Sequence, residues 1–485
     1  MEEVESDMGE NNLHHRKKKM ALLGAVTIIC LVILFCSKDY AKMASGKMQT
    51  GEIAVDFQQV VGQIRPLQGM NNGPASGYFL NESGDIAWQM DVTGLYKEMG
   101  IPYVRTHDTE YPYGQDLFVD IHCIFPDFRA DPNLPSSYSF EETDEYIAAI
   151  IDSGAQVFFR LGESIDHSGE NRYTRPPEDL QKWAEICEHI IRHYNKYWAD
   201  GYSYGIEYWE IWNEPDSGSM WRGSMEEFYE LYHVTASYLK QTHPEVKVGG
   251  GAFSYPEEEK ITAFLGAVQE NNSPLDFLSW HTYTNAPGKF AENAGKVQEL
   301  LNQYGFTETE NILDEWNYLD GWDDQTNAIS VRNSFIGASF LAASLIEMQN
   351  SPLDLAMYYD GQYLFADFYC GLYDAEGKKE PGYYSFLFWN ELNHLKNQAY
   401  AESSLDSVYC CAAVSGEEQA LLVVNYNAVP TKVHIKFQES SIIEKLTSVR
   451  INGQHPESVA ENSVLFFGEK TFSLEAGEIL FLTFQ

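Results

Sequence analysis

Positive charge is what this sequence most lacks. Against 72 Asp and Glu stand only 32 Lys and Arg, a formal net charge of −40. A surface of that sign repels phosphates, so nucleic acid is excluded as a partner and a polyanionic substrate is disfavoured. Cysteine is scarce, with 7 in 485 residues. None shows the C-x2-C or Cys/His spacing of a zinc site, so the thiols read as buried rather than bridged or metal-bound. The H-x-H pattern that a metal-dependent barrel hydrolase carries at its strand ends is also missing. So is G-x-G-x-x-G: neither QGMNNGPASG nor the run Gly249 to Gly251 fits it, which argues against a dinucleotide-binding, doubly wound sheet. The expectation is therefore no metal and no cofactor.

Apolar and aromatic residues are plentiful: 44% of the chain is hydrophobic, with 31 Tyr, 27 Phe and 10 Trp. Tyr and Trp faces suit sugar rings, but they also fill cores. The one long apolar run is Met20 to Cys36, 17 residues behind Arg16-Lys17-Lys18-Lys19. It sits at the short end of what spans a bilayer, and its basic flank places the N-terminus in the cytoplasm. An uncleaved signal anchor is expected, since no A-x-A site follows. The protein would then sit in the cell membrane, single-pass, with everything downstream outside the cell. Cleavage of the segment would instead give a secreted protein.

Residues 1–50 thus read as cytoplasmic tail, anchor and tether, and residues 51–64 as one strand. From residue 65 to 398 a short apolar strand, a polar loop and an amphipathic helix recur. The strand candidates are IRPLQGM, IPYVRTH, AQVFFRL, GIEYWEIW, VKVGGGAF, LDFLSWHTY, ENILDEW and LDLAMYY. Helix starts are marked by capping boxes, Ser139 with Glu142 and Ser224 with Glu227. Eight strands alternating with helices predict an α/β fold, a (β/α)8 TIM barrel. Residues 399–485 hold only short strands and turns, which predicts an accessory C-terminal β-sandwich completed by the strand at 51–64.

In such a barrel, chemistry sits at the C-terminal ends of strands. Polar residues there include Asn71, His107, Glu163, Asn213, Glu214, His281, Tyr283, Glu315 and Asp360. Two carboxylates stand out: Glu214 in YWEIWNEPD on strand four and Glu315 in NILDEWNY on strand seven. These strands face each other across the barrel mouth. Paired carboxyl groups there fit glycoside hydrolysis, in which one protonates the leaving oxygen and the other, ionised, attacks or stabilises the sugar carbon. The charge on Glu315 would help keep Glu214 protonated. Asn213 offers an amide to a sugar 2-hydroxyl, and Pro215 stops the strand. The alternative is a surface carbohydrate-binding barrel without activity, against which the intact glutamate pair speaks.

These motifs resemble glycoside hydrolase family 39, within the clan of retaining barrels that carry both glutamates on strands four and seven. YWEIWNEPD resembles its acid/base motif, ILDEWN its nucleophile motif and LSWHTYT its strand-six motif. FYCGLYDAEGKKEPGYYSFLFWNEL resembles the stretch after strand eight. The likeness implies a carbohydrate substrate, a β-xylosidase-like exo-hydrolase and a double displacement with Glu214 as acid/base and Glu315 as nucleophile. It further implies Asn213 as the 2-hydroxyl partner, Tyr283 bonded to the nucleophile, and His281 and His107 at the sugar subsite. Two departures stand against the family pattern: Asp314, where a small hydroxyl residue is expected, and the Arg160/Glu163 pair ending strand three. They leave the sugar open among β-xyloside, β-glucoside, β-galactoside, arabinoside and uronide.

Overall fold

A computed structural model describes residues 47–80, 83, 86–109, 118–164, 173–323, 325–361, 371–374, 376–438, 442–454 and 459–484. The expected anchor at Met20 to Cys36 lies outside the described residues. Among those described, no single helix is long and apolar enough to cross a membrane.

Eight parallel strands close into a barrel in chain order. They are Gly69–Asn71, Tyr103–Arg105, Gln156–Leu161, Tyr208–Ile211, Lys247–Phe253, Phe277–Thr284, Glu310–Tyr318 and Leu355–Tyr358, called strands one to eight below. All eight coincide with the apolar segments expected to form them. Period-two alternation sorts their side chains into layers. Tyr103, Phe158, Tyr208, Phe277, Ile312, Leu355 and Met357 form an apolar layer inside the barrel. Two residues further along strands two, four, six and seven come Arg105, Glu210, Ser279 and Asp314, all fully buried. Charge therefore sits directly on top of the apolar plug.

The glycines explain why strand five reads GGG without being a phosphate loop. A Cβ on Gly249 would meet the Phe277 carbonyl oxygen at 2.2 Å, so the residue permits strands five and six to pack. Of the two expected capping boxes, the one at Ser224 forms with Glu227 and opens the helix Met225–Thr242. The one at Ser139 does not: the helix begins at Glu141 behind Phe140, and the Ser139 backbone N–H donates to the Ile124 carbonyl instead. Ser139 is one residue too early to reach the helix's free N–H groups.

Outside the barrel, Ser76–Leu80 pairs with Ile86–Asp91 in a two-stranded sheet, and nine strands form a second sheet, in which Gln49–Gln63 pairs antiparallel with Asn397–Ser403 and parallel with Thr431–Phe437. The sheet curls over its own core of Ile53, Val55, Leu421, Val433, Phe472 and Leu482, among others. Phe57 and Phe484 bring their ring centres to 5.4 Å although three strands separate them in the sheet. Phe388, on the helix Pro381–Leu395 after strand eight, stacks on Phe481 of this sheet at 4.7 Å. Cys123, Cys187, Cys410 and Cys411 are free thiols.

Candidate active site

At the C-terminal mouth of the barrel, strand four ends in a backbone that few residues adopt. Trp212 and Glu214 both have positive φ, 73° and 41°, and so does Ala252 at 37° on strand five. Such conformations cost about 1–3 kcal/mol each and persist where the surroundings hold them. Here the Glu214 N–H donates to the Ala252 carbonyl at 3.0 Å, tying the two strand ends together. Gly162 on strand three leaves room for the bend, since a Cβ there would lie 3.1 Å from the Trp212 Cα.

Strand seven solves a different problem, presenting two consecutive residues inward. Its pairing with strand six slips by one residue between Leu313 and Glu315. A bulge of this kind lets Asp314 and Glu315 both face into the barrel, toward Arg105 and His107, where regular alternation would turn one toward the helices.

Glu214, Glu315 and His281 each place one polar atom so that all three lie within 4.8 Å of one another. The His281 Nδ1 is 3.0 Å from Glu214 Oε1 and 3.7 Å from Glu315 Oε2. The Tyr283 hydroxyl donates to Glu315 Oε1. Around Glu315 Oε2 stand His107 Nε2 at 3.4 Å and Arg105 Nη1 at 3.5 Å. Burial alone would raise the Glu315 carboxyl, but His281, His107 and Arg105 outweigh it and hold the group well below the usual carboxylate range. Glu315 is therefore ionised at any working pH. The Glu214 side chain is more open, 18% exposed against 7% for Glu315. Asn213 is fully buried, its Oδ1 accepting from Arg105 Nη2 at 2.8 Å, while its Nδ2 has no partner. An unmatched buried donor beside two carboxylates is available to a ligand hydroxyl.

The expected residues Asn213, Glu214, His281, Tyr283, Glu315 and His107 thus share one site. Others on the strand ends do not take part in it. Asn71 braces the barrel, donating to the Asp314 carbonyl at 2.7 Å. Arg160 and Glu163 are not each other's partners: Arg160 Nη2 binds Asp120 at 2.5 Å, and Glu163 pairs with His122. Glu163 and His122 line a separate cavity of about 400 Å³ with Tyr173, Trp183 and Trp212. Trp322, 67% exposed, stands over the site with its ring centre 5.5 Å from that of Tyr283.

Sequence reasoning passed over Arg105 and Glu210. Arg105 Nε lies 2.7 Å from Glu210 Oε2 and 3.1 Å from Asp314 Oδ2, all three fully buried. The signal was there: a single charge inside an otherwise apolar barrel strand, YVR or YWEIW, has to be buried and paired. Glu210→Ala leaves the buried Arg105 Nε without its hydrogen-bond acceptor. It should cost about 1–3 kcal/mol of stability, the penalty of an unmatched buried polar group, read as a lowered midpoint in urea unfolding.

Comparison with known proteins agrees with this geometry. The profile of "Glycosyl hydrolases family 39" matches residues 49–365, about two thirds of the chain. The chain belongs to that family. It is accordingly a glycoside hydrolase. A β-xylosidase of Caldicellulosiruptor saccharolyticus is 24% identical over 381 residues, 71% of this chain and 72% of that protein. A β-xylosidase of Geobacillus stearothermophilus is 27% identical over 210 residues, 40% of this chain and 39% of that one. Among solved structures, a glucosidase from Croceicoccus marinus has a TM-score of 0.72 at 21% identity, covering 91% of this chain and 99% of its own. At these identities the structural likeness carries the fold alone.

Proposed function

We propose that the enzyme hydrolyses a β-xyloside from its non-reducing end with net retention, in two displacements. Glu214 protonates the leaving oxygen while Glu315 attacks the anomeric carbon. Glu214 then takes a proton from the water that releases the sugar. One observation carries this reading. Two carboxylates from strands four and seven approach within 4.8 Å, and surrounding cations hold the Glu315 carboxyl below the usual range. Retaining chemistry asks for carboxyl groups roughly 5–5.5 Å apart. Asn213 Nδ2 supplies a hydrogen bond to the 2-hydroxyl, and Tyr283 orients the nucleophile. His281 and His107 border the −1 subsite, and Trp322 offers the exposed aromatic face for the leaving group.

A panel of aryl glycosides, with the anomer of the first-formed product read by NMR, tests sugar and stereochemistry together. β-Xyloside turnover with a β-configured first product is expected. A product of inverted configuration would remove the double displacement, and preference for a β-glucoside, β-galactoside, arabinoside or uronide would remove the xyloside. The sugar is weighed on relatives named β-xylosidase, and the net charge of −40 weighs against a uronate.

We propose also that the enzyme works outside the cell, anchored by the basic-flanked apolar run Met20 to Cys36. Protease added to intact cells should then degrade the barrel, and deletion of residues 1–40 should release active enzyme into the soluble fraction. Full-length protein recovered with the cytosol would overturn the anchor.

A further inference from the structure

His281 does more than border the sugar subsite: one buried imidazole reaches both glutamates and rests on a third carboxylate behind. Its Nδ1 faces Glu214 Oε1 at 3.0 Å and Glu315 Oε2 at 3.7 Å, and its Nε2 faces Asp314 Oδ2 at 3.5 Å. Asp314 stands where the family pattern leads one to expect a small hydroxyl residue. Resting on the two-glutamate reading above, we propose that Asp314 is a positioning residue. It keeps His281 as an imidazolium, a fixed cation that steadies whichever glutamate is ionised at each stage of the reaction.

The two displacements move negative charge across this imidazole. As Glu315 forms its bond to the sugar carbon and the glycosidic C–O bond breaks, Glu315 loses its charge. Glu214, having given its proton to the leaving oxygen, gains one. The second displacement reverses both changes. A cation between the two carboxylates serves each step without moving, whereas water reorienting to follow the charge is excluded from so buried a site. His281 Nε2 and both Asp314 oxygens have no hydrogen-bond partner, and a proton on Nε2, beside the one donated from Nδ1, makes the ring an imidazolium facing Asp314 at 3.5 Å.

Charge balance supports the same state. The carboxyl groups facing His281 are Glu214 past strand four and Asp314 and Glu315 on strand seven; Arg105 on strand two, His107 beyond its end and Tyr283 on strand six stand against Glu315, and Glu210 on strand four pairs with Arg105. Tyr359 closes the ring after strand eight, 6.4 Å from Tyr283. Burial, aided by the neighbouring Asp314, pushes the Glu210 carboxyl well above the usual range against the pull of Arg105. With a proton on Glu210, the anions Asp314 and Glu315 face the cations Arg105 and His281, and this buried cluster has no net charge. A neutral His281 would leave it one negative charge in excess, which burial penalises. The proton on Glu210 also offers a donor to the neighbouring Asp314 carboxylate.

Two measurements decide the matter. Histidine 15N NMR of the wild-type enzyme should find His281 protonated at both nitrogens from pH 5 to 8, and a neutral tautomer in that range overturns the proposal. In Asp314→Asn the ring should lose its second proton. Both limbs of the kcat/KM profile should then move to higher pH, by roughly 1–3 units. The loss of a neighbouring cation makes Glu315 easier to protonate and lets Glu214 keep its proton longer. Lower activity with both limbs in place would reduce Asp314 to a structural role. Should Asp314→Asn fail to fold, the wild-type NMR titration still decides. Failure here is distinct from failure of the two-glutamate reading, which would show as normal turnover in Glu315→Ala.

Discussion

Glu315→Ala is expected to lower turnover by about 10⁴-fold or more, because no neighbouring group can replace the covalent step it performs. The fold should persist, since the layer beneath, Arg105 with Glu210 and Asp314, keeps its own partners. Azide or formate added to the variant should restore part of the activity by attacking the anomeric carbon from the vacated side. The glycosyl azide formed should have inverted configuration. The pH behaviour of the native enzyme follows from the same group. The carboxyl is held below the usual range by His281, His107 and Arg105, so the acid limb of activity should lie below the ordinary glutamate region. The sign for stability is that of a depressed carboxylate. Glu315's pairing contributes fully above about pH 4.3, the ordinary glutamate value, and is lost as pH falls toward its folded value. The stability gap between native enzyme and Glu315→Gln should accordingly close on acidification. Near-normal turnover in purified Glu315→Ala would remove the residue from the mechanism.

Glu214→Ala should divide substrates by their leaving groups. A general acid matters in proportion to how poorly the departing oxygen carries charge. Alkyl glycosides and disaccharides should slow by about 10²–10⁴-fold, whereas cleavage of a dinitrophenyl glycoside, whose phenolate departs unaided, should form the glycosyl-enzyme almost normally. Its release would then be slow, because the same residue activates water, so a burst should precede a slow steady state. Azide should speed release and give a product of retained configuration. The alkaline limb of the kcat/KM profile should flatten. Equal slowing of both substrate types with the limb intact would exclude Glu214 as the acid and turn attention to Glu163. That residue, however, is engaged with His122 in the neighbouring cavity.

The barrel was legible in the sequence because its signal is local. Each strand is a short apolar run between a polar loop and an amphipathic helix, and the eight segments named from the sequence are the eight that close. The same holds for Glu214, whose WNEP follows the end of strand four, and for Glu315, whose LDEW lies within strand seven three residues before its end. The failed cap at Ser139 shows the limit of such signals. A Ser three residues before a Glu is common, and only the turn actually formed decides which N–H groups it can reach.

Composition and spacing by themselves determined the alternation of strand and helix, the two carboxylates at the barrel mouth and the acidic surface, because each depends on nearest neighbours or on residue type alone. Tertiary structure decided the rest. That Asp314 and Glu315 both turn inward depends on a slip against strand six. Arg105 meets Glu210 and Asp314 because strands two, four and seven converge at one level of the barrel. The burial that fixes where their protons reside arises from that convergence. Partners 105 and 209 residues apart along the chain leave no periodic trace, and the field each carboxylate feels is set by charges that only closure of the barrel brings within about 4 Å.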